Sequence, residues 1–252
     1  MSEVHDKVKH RQQDAHIHIP ARGVSLVLAG IATLLVIVSV IGQMIKHLSN
    51  FDRAFGLIPL VYVNAELSIP TIFSVLLLFM CALLLALITV LTRKHSEPHS
   101  LYWGILTAGF LFMTFDEGAS IHELLDDPMR GLLGSQSPGF LHFAWVVPVG
   151  ILVVVMGFFF IRFLKSLPKS TRRLFIVASL LYVGGAVGME MLGGNYASSH
   201  GSDNFGFSLL ATVEESLEMG GTILFIHALL AYLEDRYREL VFRFWAAASR
   251  KP

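Results

Sequence analysis

Six apolar stretches, each long enough to cross a bilayer, constrain this chain more than any other feature of it. A spanning helix needs about 20 apolar residues, because the hydrocarbon layer is about 30 Å thick and an α-helix rises about 1.5 Å per residue. The stretches 24–45, 68–91, 101–125, 143–163, 174–192 and 207–233 meet that length. Inside lipid the backbone has no water to bond, so these stretches predict helices. The charged share, 15% of 252 residues, lies well below the roughly 25% of soluble domains and excludes a soluble enzyme built on one core. The expected fold is an all-α integral membrane bundle of six transmembrane helices.

Charge placement predicts orientation. Sixteen of the 19 Lys and Arg residues lie before Val24, at Arg93 and Lys94, between Arg162 and Arg173, or after Leu233. Lys46, Arg53 and Arg130 are the three on the opposite side, so the excess of basic residues in one set of loops puts both termini in the cytoplasm. A polar tail (1–23), a membrane domain (24–233) and an amphipathic segment (234–252) follow. In that last segment Tyr237, Leu240, Val241, Phe244 and Trp245 recur at helical spacing with arginines between them. This suits a helix lying in the inner interface against anionic lipid. Trp103 and Trp145 are expected to mark interfaces in the same way. The first span is read as an uncleaved anchor, too long for a signal-peptide core. The lone Cys81 excludes an intrachain disulfide, a CxxC pair, a CxxCH haem attachment and a cysteine-rich zinc site.

Once the topology is set, the acids become informative. Twelve of 19 fall on the outer side or in the outer halves of helices, and eight of those lie in or at the edge of spans: Glu66, Asp116, Glu117, Glu123, Glu190, Glu214, Glu215 and Glu218. An ionised carboxylate costs about 2.5–3.5 kcal/mol at a span centre, so a group of them calls for partners, protons or a cation. At about 100° per residue along the third helix, Asp116, Ser120 and Glu123 fall within about 60° of one another and His122 points away from Asp116. On the last helix Glu214, Glu218 and Gly221 share a face. Thr212 and Glu215 fit a capping box, which would make Glu215 an N-terminal structural acid. Arg130 is a candidate counter-charge for the acids of 116–123. Gly184, Gly185 and Gly188 form a small-residue stripe that would let another helix approach closely beside Glu190.

These placements predict a metal site. Glu66, Asp116, His122, Glu123, His142, Glu190 and Glu218 are the expected ligands, with Glu117, Glu214 and Glu215 as orienting groups or proton acceptors. Di-iron and di-manganese bundles supply carboxylates from four helices, and oxygen donors with one or two histidines suit iron or manganese first, with zinc and calcium as further candidates. No Glu-x-x-His of the bundle type is present. The leading reading is therefore a metal-dependent, redox membrane protein or enzyme. A proton or cation transporter or channel is the alternative, since intramembrane acids are its usual mark. A zinc-dependent hydrolase resembling the ceramidase and adiponectin-receptor group, a haem b on His47 and His142, and a structural subunit of a larger membrane complex are further alternatives. The expected partners are the lipid bilayer, anionic lipid at the C-terminal helix, and partner subunits or a homo-oligomer, with no nucleic acid.

The segments NAELSIP (64–70), FDEGASIHE (115–123) and EESLEMGG (214–221) carry D-E-x4-H-E and E-E-x-x-E signatures. They resemble those of a family of bacterial polytopic membrane proteins to which no activity is assigned. The resemblance covers the chain from the second helix onward. It implies about six helices in a bacterial inner membrane, where the charge-based topology puts the acidic end on the periplasmic side, and it assigns no chemistry.

Overall fold

A computed structural model describes residues 20–48, 56–134 and 139–237. The N-terminal tail, its histidines (His5, His10, His16 and His18) and most of the expected interfacial segment lie outside the described residues. Every regular element among the described residues is helical. In chain order they are α1 (Ala21–Leu48), α2 (Leu57–Val61), α3 (Ile69–Lys94), α4 (Ser100–Ala119), α5 (Asp126–Leu133), α6 (Val146–Ser166), α7 (Lys169–Val183), α8 (Glu190–His200) and α9 (Phe205–Arg236). Five are long and apolar enough to cross a membrane: α1, α3, α6, the continuous α7–α8 rod Lys169–His200, and α9. The third expected span, 101–125, is interrupted. It becomes the 20-residue α4, and Asp116 and Glu117 in its last turn dilute the apolar run.

The α9 helix is the axis of the bundle. It packs against α1, α3 and α7, and is buried along its length from Ser208 to Leu233. Around it, α1 and α6 turn large apolar side chains outward, such as Leu26, Leu34, Ile151 and Phe158. In water such surfaces would drive aggregation, whereas in lipid they are the solvent-facing side.

The two bundle ends differ in chemistry. At one, Arg22, Arg93, Arg172, Arg173 and Arg236 gather, Ala21 N–H donates to Glu234 at 2.9 Å, and Arg236 pairs with Glu97 at 3.1 Å. This basic end is closed by an aromatic cluster. Trp103 stands edge-on to Phe163 at 4.9 Å and leans on Tyr232 at 5.1 Å. With 2% of its surface exposed, Trp103 is a core residue and not the lipid-facing marker expected of it. At the other, acidic end, Lys46 reaches Asp203 at 2.7 Å, and Val63 N–H donates to the buried Ser39 hydroxyl at 3.1 Å.

Two local breaks shape that acidic end. The α4 helix stops at Ser120, whose φ of 45° is left-handed, and a tight 3₁₀ turn, Ile121–Leu125, follows. Between α7 and α8 the segment Gly184–Met189 opens into a π-helical turn. A π turn carries one extra residue per cycle and is frequent at functional sites. Here it rotates Glu190 relative to the register that α7 would have given it.

Candidate functional site

The acids of α4, α8 and α9 meet at the acidic end of the bundle. The helix break after α4 folds the chain back, so that Asp116 accepts the His122 backbone N–H at 2.7 Å and lies 3.0 Å from its Nδ1. The expectation that His122 points away from Asp116 assumed an unbroken helix, and the left-handed Ser120 overturns it. The same break leaves Glu123 exposed and off the Asp116 face. The His122 ring packs on Trp145 at 4.4 Å, and the Trp145 indole N–H donates to Glu190 at 3.3 Å. Trp145 is 6% exposed, so this indole serves the cluster and does not mark an interface.

Behind that rim the carboxyls continue inward. Glu190 and Glu214 lie close enough to act on each other electrostatically. Glu215 lies within electrostatic range of Glu117 and Glu190, and Glu218 within range of Glu215 and Glu117. The capping role expected of Glu215 fails, because α9 starts more than two turns earlier. Asn204 is its N-cap, accepting from Phe207 N–H at 3.0 Å, while Thr212 donates back to Ser208. Glu215 therefore belongs to the interior cluster. Gly185 makes the close approach possible. A Cβ there would stand 2.8 Å from Glu218 Cγ and 2.9 Å from the Glu214 carbonyl, whereas Gly184 and Gly188 face open space. Of the glycine stripe, one position performs the packing.

At its inner limit the cluster borders a small, partly open cavity of about 10 Å³, whose polar lining is Ser74, Glu117, Tyr182, Glu218 and Thr222. Leu77, Leu78 and Met219 close it on the apolar side. The buried Ser74 hydroxyl, 7% exposed, has no hydrogen-bond partner. Sequence reasoning missed Ser74, Trp145 and Tyr182, since a serine, an indole and a phenol in apolar helices carry no signal until the neighbours are known.

Other expected site residues lie elsewhere. Glu66 is exposed in the turn before α3, and His142 packs on Phe143 at 4.9 Å. Arg130 does not reach the acids of α4. It pairs with Asp126 at 2.9 Å and donates to the His142 carbonyl. Asp126 accepts from the Ala144 and Trp145 N–H groups, fixing the turn that enters α6. His47 lies edge-on to Phe205 at 6.1 Å. His227, far toward the basic end, is 3.2 Å from Ser25 of α1, on a different face of α9 from the cluster. Among the described residues no three His, Cys, Asp or Glu side chains converge in a metal-holding group. His122 is the imidazole beside the cluster, and among the described residues no Lys or Arg pairs with its carboxyls.

Residues 27–233 match the family model described as Domain of unknown function (DUF8692), and the chain belongs to that family. No curated protein and no solved structure shows significant similarity to it.

Proposed function

We propose that this member of the family is a six-span membrane protein, α4 being the sixth span, that binds and passes protons or small cations through the carboxylate cluster of its acidic end. The positive-inside pattern supports both termini in the cytoplasm and the cluster on the outer, in a bacterium periplasmic, side. One observation carries the functional reading: Glu117, Glu190, Glu214, Glu215 and Glu218 lie within electrostatic range of one another among apolar helices, and among the described residues no Lys or Arg pairs with them. An ionised carboxylate costs about 2.5–3.5 kcal/mol at a span centre and less toward the interface, so even a fraction of that for each of five weighs heavily against the whole stability of a typical domain, about 5–15 kcal/mol. Protons or a bound cation must neutralise them. Groups that hold charge carriers within reach of one another form a relay.

The test is proton movement into liposomes that hold the purified chain and an internal pH-sensitive dye. Wild type is expected to dissipate an imposed pH gradient, and Glu215→Gln or Glu218→Gln to abolish that, with the oligomeric state in detergent unchanged. Gradients that decay no faster than in empty liposomes would refute the reading.

A metal-dependent, redox function remains a second reading, with Glu66, Asp116, His122, Glu123, His142, Glu190 and Glu218 as its ligand set and iron or manganese as its metal. The contact of Asp116 with the His122 imidazole, whose ring packs on Trp145 beside Glu190, favours it. The remaining donors would have to be drawn in by movement. Elemental analysis of the protein purified from native membrane decides it, metal-free protein counting against.

A further inference from the structure

The inner cavity separates from the rest of the cluster in one respect: it presents hydroxyls as well as carboxyls. Helical serines and threonines ordinarily satisfy their hydroxyl on the carbonyl one turn back. Thr89, Thr107, Thr212 and Thr222 do so here at 2.7–2.9 Å. Ser74 does not. Its buried hydroxyl faces the cavity, where it meets Glu117 from α4, Tyr182 from α7, and Glu218 and Thr222 from α9. An unmade hydrogen bond on a buried group costs about 1–3 kcal/mol. A cavity that is polar on one side, with two acids and an idle hydroxyl in its lining, has room for an occupant about the size of one water.

We propose that this cavity binds one desolvated monovalent cation of the sodium class, held by the Glu117 and Glu218 carboxylates and by the Ser74 and Tyr182 hydroxyls. Four helix positions, on α3, α4, α7 and α9, thereby share one ion. A cation between two carboxylates relieves their repulsion and supplies the charge that no Lys or Arg provides. The donor set is all oxygen and half neutral, unsuited to the nitrogen- and sulfur-seeking transition metals. Magnesium keeps several of its waters and calcium takes six to eight oxygens. Leu77, Leu78 and Met219 leave no wall for such a shell. The inference rests on the reading of the cluster as a cation-binding relay and names the ion at its inner step.

The experiment is equilibrium binding of radioactive sodium to the full chain in detergent at constant ionic strength, choline replacing sodium. Thermal unfolding in the same buffers is the second measurement. Wild type is expected to bind one sodium per chain saturably and to unfold at a higher temperature in sodium than in choline. Ser74→Ala, which removes a hydroxyl that bonds nothing in the protein, is expected to weaken binding about tenfold or more, and Glu117→Gln to abolish it. Ser216→Ala, on α9 two residues before Glu218 and outside the lining, retains it. No saturable sodium binding together with no sodium-specific stabilisation overturns the inference, the cavity then holding water alone. Displacement of sodium by equimolar calcium or magnesium overturns it too. Proton flux in liposomes that persists without sodium binding sinks the site but spares the relay, and sodium binding without flux does the reverse.

Discussion

Replacing Gly221 by alanine isolates the contact on which the cluster depends. A Cβ at Gly221 would lie 2.7 Å from Tyr182 N and 2.8 Å from the Ala178 carbonyl, both backbone atoms of α7. Ordinary contact begins at 3.4 Å, so α7 must retreat by 3.4 less 2.7, about 0.7 Å. No rotamer change can absorb that, because nothing on the α7 side is a flexible side chain. Overpacking of this kind costs about 1–3 kcal/mol. The neighbouring Gly220 supplies the control, since a Cβ there meets nothing within 4 Å. Both substitutions gain the same helix propensity, about 0.8–1.0 kcal/mol. The difference in unfolding free energy between Gly221→Ala and Gly220→Ala therefore reads the packing term alone, about 1–3 kcal/mol with Gly221→Ala the less stable. Reversible denaturation in mixed micelles, followed by tryptophan fluorescence, measures it. Because Tyr182 and Glu218 flank the same contact, Gly221→Ala is also expected to slow proton flux, and Gly220→Ala to leave it intact. Equal stability of the two variants would refute the close approach of α7 to α9 and, with it, the placement of the carboxyls.

The fold-back after α4 predicts that Asp116→Asn costs about 1–2 kcal/mol, a half-buried pair being worth less than the full value of a hydrogen bond to a charged group. A double-mutant cycle with His122→Ala should return most of that loss as coupling. At the acidic end, the Lys46 ammonium hydrogen-bonded to Asp203 holds that carboxyl below the ordinary carboxylate range. The stabilisation is present above the ordinary carboxylate pKa and disappears as pH falls through the depressed one. Carboxyl-carbon NMR should show Asp203 titrating higher in Lys46→Met. At the basic end, burial first and the Glu97 carboxylate second push the Tyr237 phenol up to about 12. Glu97→Gln should bring its ultraviolet titration down, and an unmoved curve would remove Glu97 from the account. Trp145→Phe should leave the fold intact while releasing Glu190, read as a change in the reactivity of that carboxyl toward a hydrophobic carbodiimide.

What could be read from the residues alone was whatever depends on length and polarity. Apolar runs of spanning length become helices wherever they occur, since lipid leaves the backbone no other partner. Five of the six expected spans accordingly appear as long apolar helices, at similar bounds. The gathering of acids at one end was likewise legible, because helices joined by short loops alternate direction and return to the same depth. The failures cluster where the chain leaves ideal helix. Ser120 is neither glycine nor proline, yet it takes a left-handed φ, and that turn reversed the expected relation of His122 to Asp116. Thr212 and Glu215 carry capping-box letters two turns inside α9, where Asn204 had already capped the helix.

The sequence by itself determined an all-helical chain with apolar spans, a basic end and an acidic end, because those follow from hydropathy and from charge counted along one dimension. Only the tertiary structure decided which acids meet. It left Glu66 exposed in the turn before α3, packed His142 on Phe143, brought Glu215 in from a supposed cap, and set Trp145 and Ser74 beside carboxyls far away in sequence. Contact across helices depends on the angle at which each helix faces its neighbours. Here a π turn at Gly184–Met189, a left-handed serine and two close-packed glycines set those angles.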